Sequence, residues 1–169
     1  MGADADRALV ARQLGREPRA FRRVVVRCPF GRPAVTEQSP YTSTGLPFPT
    51  TYYLTCRHLV AAVSRLEAGG GVERWTDAAA ADPELAASRA RADDEQRRIR
   101  RELAAGETGP DDGASLDLGI GGAAHTGSLK CLHAHAAFAL ANPGYLLGER
   151  ILAEVEPRWP DRCCTEETA

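Results

Sequence analysis

The chain has 169 residues, of which 43% are hydrophobic and 26% are charged, and its formal net charge is -2. This length is that of one ordinary domain, and it is sufficient for a hydrophobic core without disulfides. The composition is that of a soluble globular protein, and the absence of a basic excess argues against a nucleic-acid binder. No apolar run reaches the ~20 residues of a membrane span, and the acidic start MGADADRALV is unlike a signal peptide, so we expect a cytoplasmic protein.

The first half of the chain alternates helical and extended patterns. Residues 4–15 favour a short helix, and FRRVVVRC (21–28) is typical of a buried strand because valines suit a pleated sheet. Residues 29–49 are rich in Pro, Gly, Ser and Thr, which predicts a long ordered loop or a set of turns. TTYYLTC (50–56) predicts a second strand, and RHLVAAVSRLEAGGG (57–71) predicts an amphipathic helix ended by glycines.

The second half is mostly helical. Residues 82–105 predict a long helix that carries six acidic and six basic residues, which indicates a solvated face and not a nucleic-acid stripe. A flexible connector is expected near 106–118. A capped helix should run from Ser128 to the Asn142-Pro143 stop, and a last helix should lie near 144–155.

These elements predict a small α+β fold. It should be one mostly helical domain over residues 1–158 with a short two- or three-stranded sheet, followed by a polar C-terminal tail over 159–169.

Five cysteines are an odd number, so a complete set of intrachain disulfides is excluded, and in a cytoplasmic protein thiol or metal chemistry is favoured. Cys163 and Cys164 lie in the polar tail and are interpreted as incidental. Cys28, Cys56 and Cys131 lie inside patterned segments and are the candidates for a site.

The stretch LKCLHAHAAF places the only lysine, Lys130, before Cys131, His133 and His135. With Ser128 as N-cap, the helix dipole and the lysine ammonium would favour the thiolate of Cys131. On a regular helix, however, a residue two positions on points roughly 200° away, so Cys131 and His133 would not meet. Cys131 therefore needs partners from elsewhere.

Cys28 and Cys56 each end a predicted strand, and neighbouring strand ends would bring their sulfurs together. Together with Cys131 and one histidine they would make a Cys₃His set, which suits tetrahedral zinc. The ligand spacing matches no zinc finger. The alternative is that the three cysteines pack as small hydrophobic residues.

A glycine-rich turn precedes the predicted helix. Its gaps do not complete a phosphate-binding loop or a dinucleotide fingerprint. Backbone N–H groups beside a helix start still favour an anion. The predicted anion-site residues are Gly121, Gly122, Gly127, Ser128 and Lys130.

The segments RCPFGRPAV, PFPTTYYLTCRHL, SRLEAGG and KCLHAH, in this order, resemble a bacterial family, common in actinobacteria, that is catalogued as domain of unknown function 501. The resemblance covers about residues 7–155 and brings a pattern without a mechanism. Within the stretch that holds both histidines, the family pattern matches Cys131 and His133, whereas His135 matches only some members. Arg57 stands where many members have proline, and Phe138 where many have histidine. The family's genes often neighbour those of a septum initiator and an exopolyphosphatase, which implies a cell-division or phosphate context.

Three hypotheses follow. First, Cys28, Cys56, Cys131 and His133 bind a metal, with zinc as the expected cofactor, and His135, Tyr52, Tyr53 or Lys130 assist. Second, the protein is a metal-free thiol enzyme whose catalytic candidates are Cys56, Cys131 and His133, with Cys56 and His133 the better pair. Third, it is a non-enzymatic accessory protein whose cysteines only pack. Whether it is an enzyme stays open, and the expected partner is a small molecule, an anion or another protein, but neither nucleic acid nor membrane.

Overall fold

The structure is a computed structural model, and it describes residues 2–125 and 127–164. Most of these residues belong to helices, and three short strands form the sheet. The elements are α1 (Ala3–Leu14), β1 (Phe21–Arg27), β2 (Pro33–Gln38), β3 (Tyr52–Leu54), α2 (Arg57–Ala68), α3 (Gly71–Ala81), α4 (Pro83–Ala104), α5 (Leu132–Ala141) and α6 (Leu146–Ala153). Three short 3-10 turns lie between α4 and α5: Gly109–Asp111, Ala114–Asp117 and Ile120–Gly122.

The sheet is antiparallel in the order β1-β2-β3, which confirms the predicted α+β class. The prediction of a loop over 29–49 is wrong at β2, the central strand, whose six residues are all buried. Its sequence PAVTEQ has no alternation of polar and apolar residues, so periodicity gave no signal. The buried carboxylate of Glu37 is satisfied by the Arg23 guanidinium on β1, with Nε 2.9 Å from Oε1.

Helix α5 lies at the centre of the core. Seven of its ten residues are buried, because LHAHAAFALA is apolar on nearly every side and a helix of that kind needs partners all round. Phe138 stacks edge-on against Tyr52 of β3 and against Tyr145 before α6, with ring centroids 5.6 Å apart in both pairs. Helix α5 is therefore fixed between the sheet and α6.

The long helix α4 confirms the prediction for residues 82–105. It begins at Pro83, and the side chain of Asp82 accepts hydrogen bonds from the N–H groups of Glu84 and Leu85. The region near 106–118 contains two of the 3-10 turns, and Arg100 Nε donates to the Ser115 carbonyl at 3.1 Å. Its flexibility stays a prediction.

In the part of the chain that the structure describes, no helix combines the length and the apolarity that a membrane crossing requires. Residues 165–169 of the predicted tail lie outside the described residues.

Candidate metal site

The start of α5 differs from the prediction and shapes the site. The helix begins at Leu132 and its N-cap is Cys131, which is extended at φ -153° and ψ 118°; the prediction that Ser128 is the N-cap is wrong. The reason is a tight turn at Lys130, which has φ 65°, and across which the Cys131 N–H donates to the Leu129 carbonyl at 2.7 Å. Because Cys131 lies outside the helix, the helical rotation that would separate its side chain from His133 does not apply.

One face of α2 lies against this turn. Val60, Ser64 and Glu67 are spaced by four and three residues, so they share that face. The Glu67 carboxylate accepts the N–H of Leu132 at 2.6 Å and so satisfies the first free amide of α5. The same oxygen, Oε1, lies 3.2 Å from Nδ1 of His133. Glu67 therefore caps α5 and faces the histidine at once.

The other ring nitrogen of His133 is bound to α2. Its Nε2 lies 3.2 Å from the Val60 carbonyl and 3.2 Å from the Ser64 hydroxyl. A carbonyl oxygen only accepts hydrogen bonds, so Nε2 carries the proton in that contact. The assignment leaves Nδ1 as the atom directed toward Glu67.

The environment of His133 favours positive charge. Burial opposes the imidazolium, but the contacts with Cys131 and Glu67 outweigh burial and raise the pKa of His133 to about 9. The protonated ring of His133 is therefore favoured at neutral pH, where it pairs with the Glu67 carboxylate.

Glu67, Cys131 and His133 form a group whose potential ligand atoms all lie within 4.8 Å of one another. All three residues are partly buried. Within residues 2–125 and 127–164 it is the one group of three or more His, Cys, Asp or Glu side chains with this spacing.

Cys28 and Cys56 are not in this group. The expectation that their sulfurs meet assumed adjacent strands, but β2 runs between β1 and β3, and two inter-strand spacings amount to about 9.5 Å. Of the four predicted metal ligands, the structure brings together Cys131 and His133, and Cys28 lies in the hydrophobic core.

Cys56 lies in a different setting. Only 1% of it is exposed, and its Sγ is 3.6 Å from the Sγ of Cys164. Burial raises the pKa of the Cys56 thiol to about 12, which disfavours its predicted role as a nucleophile. The tail cysteine that the sequence indicated as incidental is its neighbour.

His135 is not part of the group. It is fully buried, with Nδ1 2.7 Å from the Tyr145 hydroxyl and Nε2 3.1 Å from the Leu129 carbonyl. Burial lowers the pKa of His135 to about 3, so the ring is neutral, donates from Nε2 and accepts from Tyr145. It supports the turn that holds Cys131.

Two of the five residues of the predicted anion site, Gly122 and Lys130, have a bonded backbone N–H, and so does Leu129 between Ser128 and Lys130. Gly122 N–H donates to Gly119, Leu129 N–H to the Thr76 hydroxyl and Lys130 N–H to the Ser128 hydroxyl. Gly121 and Gly122 form a 3-10 turn with positive φ, whereas Gly127 and Lys130 are exposed. Anion binding there stays a prediction.

A cavity of about 330 Å³ opens beside the group. Cys131 and His133 form part of its wall, together with Tyr52 and Tyr53 of β3. This volume lies at the lower end of the range for small-molecule sites.

The family model described as "Protein of unknown function (DUF501)" matches residues 24–153, more than half of the chain. The chain belongs to the DUF501 family. Neither the curated proteins nor the solved structures contain a match. The DUF501 region includes Glu67, Cys131 and His133, and Cys164 lies beyond it.

Glu67 and Ser64 are the site residues that the sequence analysis missed. Both lie in SRLEAGG, one of the segments that carried the DUF501 resemblance. Ser64 and Glu67 are three residues apart, so the predicted amphipathic helix places them on one face. That spacing alone did not show that His133 lies opposite this face.

Proposed function

We propose that Cys131, His133 and Glu67 bind one divalent metal ion, and that the ion is zinc. The observation that carries the proposal is the group of three potential ligand atoms within 4.8 Å of one another, supplied by two separate helix regions. Zinc takes thiolate, imidazole and carboxylate ligands, whereas magnesium and calcium prefer oxygen alone.

The hydrogen bonds around His133 support a ligand role. Histidines that bind metals through one nitrogen commonly donate from the other to a carbonyl or carboxylate, which fixes the ring. Here Nε2 meets the Val60 carbonyl, so the lone pair of a neutral ring at Nδ1 faces the Glu67 carboxylate. Two acceptors at 3.2 Å repel each other unless a proton or a metal lies between them.

Three protein ligands leave one position of a tetrahedral zinc for water or another ligand. The adjoining cavity, whose wall includes Cys131 and His133, gives that position room. Bound there, zinc would act as a Lewis acid or lower the pKa of a bound water.

Metal analysis of protein purified without a His-tag tests the proposal. We expect about one zinc per chain and loss of most of it in Glu67→Gln and in Cys131→Ala, since each removes one ligand. The matched controls are Glu73→Gln, on the exposed part of α3, and Cys164→Ala, and both should retain the metal. Less than about 0.2 zinc per chain in the unaltered protein would contradict the proposal, because a three-ligand protein site normally retains zinc through purification.

A second candidate function, a metal-free thiol site, is favoured by the position of Cys131. Cys131 is partly exposed in the cavity wall beside His133, and an adjacent histidine is the usual partner of a cysteine nucleophile. Alkylation separates the two candidates. A zinc-bound thiolate reacts slowly with iodoacetamide until a chelator removes the metal, whereas a free thiolate reacts at the same rate with or without the chelator.

A further inference from the structure

The lining of the cavity beside the metal site is mostly apolar. Aliphatic side chains from α1, β3, α2 and α5 meet the rings of two tyrosines there: Leu14, Leu54, Val60, Ala134, Tyr52 and Tyr53. Among the described residues that line it, none is Asp, Glu, Lys or Arg. The volume of about 330 Å³ corresponds to roughly ten water molecules.

Arg16 and Lys130 are not among the described residues that line this space. Arg16 is exposed and donates to the Tyr53 hydroxyl at 3.3 Å, and Lys130 is exposed on the turn. His133 is the basic side chain of the described lining, and as a metal ligand its ring is neutral. With the metal bound, an anionic group inside the cavity would thus lose its hydration without meeting a cationic side chain, which is costly in an apolar environment.

The proposed metal adds no net charge. A divalent ion bound by one thiolate, one carboxylate and one neutral imidazole forms a site whose charges cancel. An anion at the fourth position would make the site negative, whereas a neutral donor leaves it balanced.

From these observations we infer that the cavity binds an uncharged small molecule with an aromatic or branched aliphatic group, which places one neutral oxygen or nitrogen donor on the metal. The part that concerns the metal rests on the proposed function. The preference for an apolar body rests on the lining alone, whereas the preference for an uncharged one rests on His133 being a neutral metal ligand.

Titration of the full-length protein, with its metal content measured first, tests this inference. The probes are benzamide, which is uncharged and offers one carbonyl oxygen, acetamide, which lacks the ring, and phenylphosphonate, which keeps the ring but is anionic. Binding is followed by the amide chemical shifts of Gly121 and Ala134 in the cavity wall, which report occupancy whether or not a metal is present.

We expect benzamide to bind at least about ten-fold more tightly than either other probe, which corresponds to about 1.4 kcal/mol. Ala134→Leu fills part of the cavity and should weaken benzamide at least about ten-fold, since burial of one such ring contributes more than this. The same substitution at Ala80, exposed on α3, is the matched control and should leave the affinity unchanged. Circular dichroism of both variants verifies that they are folded.

The outcomes distinguish the two proposals. Equal binding of benzamide and acetamide, or tighter binding of phenylphosphonate, overturns the inference, and with metal present it leaves the proposed function intact. Selective binding of benzamide in protein that holds no metal supports the apolar cavity and overturns the proposed metal function. Equal loss of affinity in the Ala134 and Ala80 variants would also overturn the inference, because binding would then occur elsewhere.

Discussion

Replacement of each α5 histidine by alanine should separate folding from metal binding. His135 is fully buried between the Tyr145 hydroxyl at 2.7 Å and the Leu129 carbonyl at 3.1 Å. The side chain of His133 is 24% exposed, and its partners at the start of the helix lie near solvent. His135→Ala should therefore destabilise the fold, whereas His133→Ala should chiefly remove a metal ligand.

The loss in the free energy of unfolding depends on which polar groups each substitution leaves without a hydrogen-bond partner. His135→Ala leaves the buried Tyr145 hydroxyl without this partner, whereas the Leu129 carbonyl keeps the Cys131 N–H, so the free energy of unfolding should fall by about 1–3 kcal/mol before any cavity cost. His133→Ala loses hydrogen bonds that water can replace, and the expected cost is about 1 kcal/mol or less when it is measured above pH 9, where the ring is neutral and its ion pair with Glu67 no longer contributes. A small domain has only about 5–15 kcal/mol of stability in total, so the first change is severe.

Urea unfolding followed by circular dichroism measures both values, and a chelator keeps bound metal from adding to either. Tyr145→Phe provides an internal control, because its effect should be much smaller in the His135→Ala background than alone. The reasoning is refuted if His133→Ala costs as much as His135→Ala, or if the two changes at His135 and Tyr145 are additive.

Three further predictions concern the core and the buried thiol. Gly148→Ala would place a Cβ 2.6 Å from that of Ala139, so it should lower the free energy of unfolding by about 1–3 kcal/mol in the urea assay, whereas Gly127→Ala meets nothing within 4 Å and should be nearly neutral. The pKa of His135 falls from 6.5 to about 3 on folding, so between these pH values the unfolded chain binds this proton and the folded protein does not. The free energy of unfolding of the metal-free protein should therefore decrease by up to about 1.4 kcal/mol for each pH unit as the pH falls through this interval. A free energy of unfolding that does not change with pH there would contradict the assignment of His135 as a neutral buried ring. Cys56, whose pKa burial raises to about 12, should be labelled by iodoacetamide much more slowly than the partly exposed site cysteine in metal-free protein, as peptide mass spectrometry would show.

The sequence predicted those helices and strands in which several local features of the sequence indicate the same element. The Asp82-Pro83 start of α4 combines a side-chain cap with proline at the first helical position, and the structure has the helix there. Strand β1 was visible from its valines. Strand β2 could not be recognised in the sequence, because its buried Glu37 is unusual for a central strand. Glu37 is buried because Arg23 on β1 binds its carboxylate, and the sequence of β2 alone does not show that contact.

The site was half predictable for a related reason. Cys131 and His133 stand together in one segment, and that half was found. Glu67 was not found because its role depends on where α2 ends relative to α5, which is a tertiary relation. The misplaced start of α5 came from Ser128, a good capping residue by type, whereas the chain turns through a positive φ at Lys130 before the helix begins.

The turn at Lys130 also gives experimental access to the site. As the only lysine of the chain, it defines one bond for a lysine-specific protease, the bond to Cys131, and cleavage would yield residues 1–130 and 131–169. The segment from Leu129 to Leu132 is held by hydrogen bonds to its own turn and to Glu67, so cleavage requires this region to open. The rate at which a single cut appears would thus report the local opening free energy of the candidate metal site, separately from the unfolding of the whole domain.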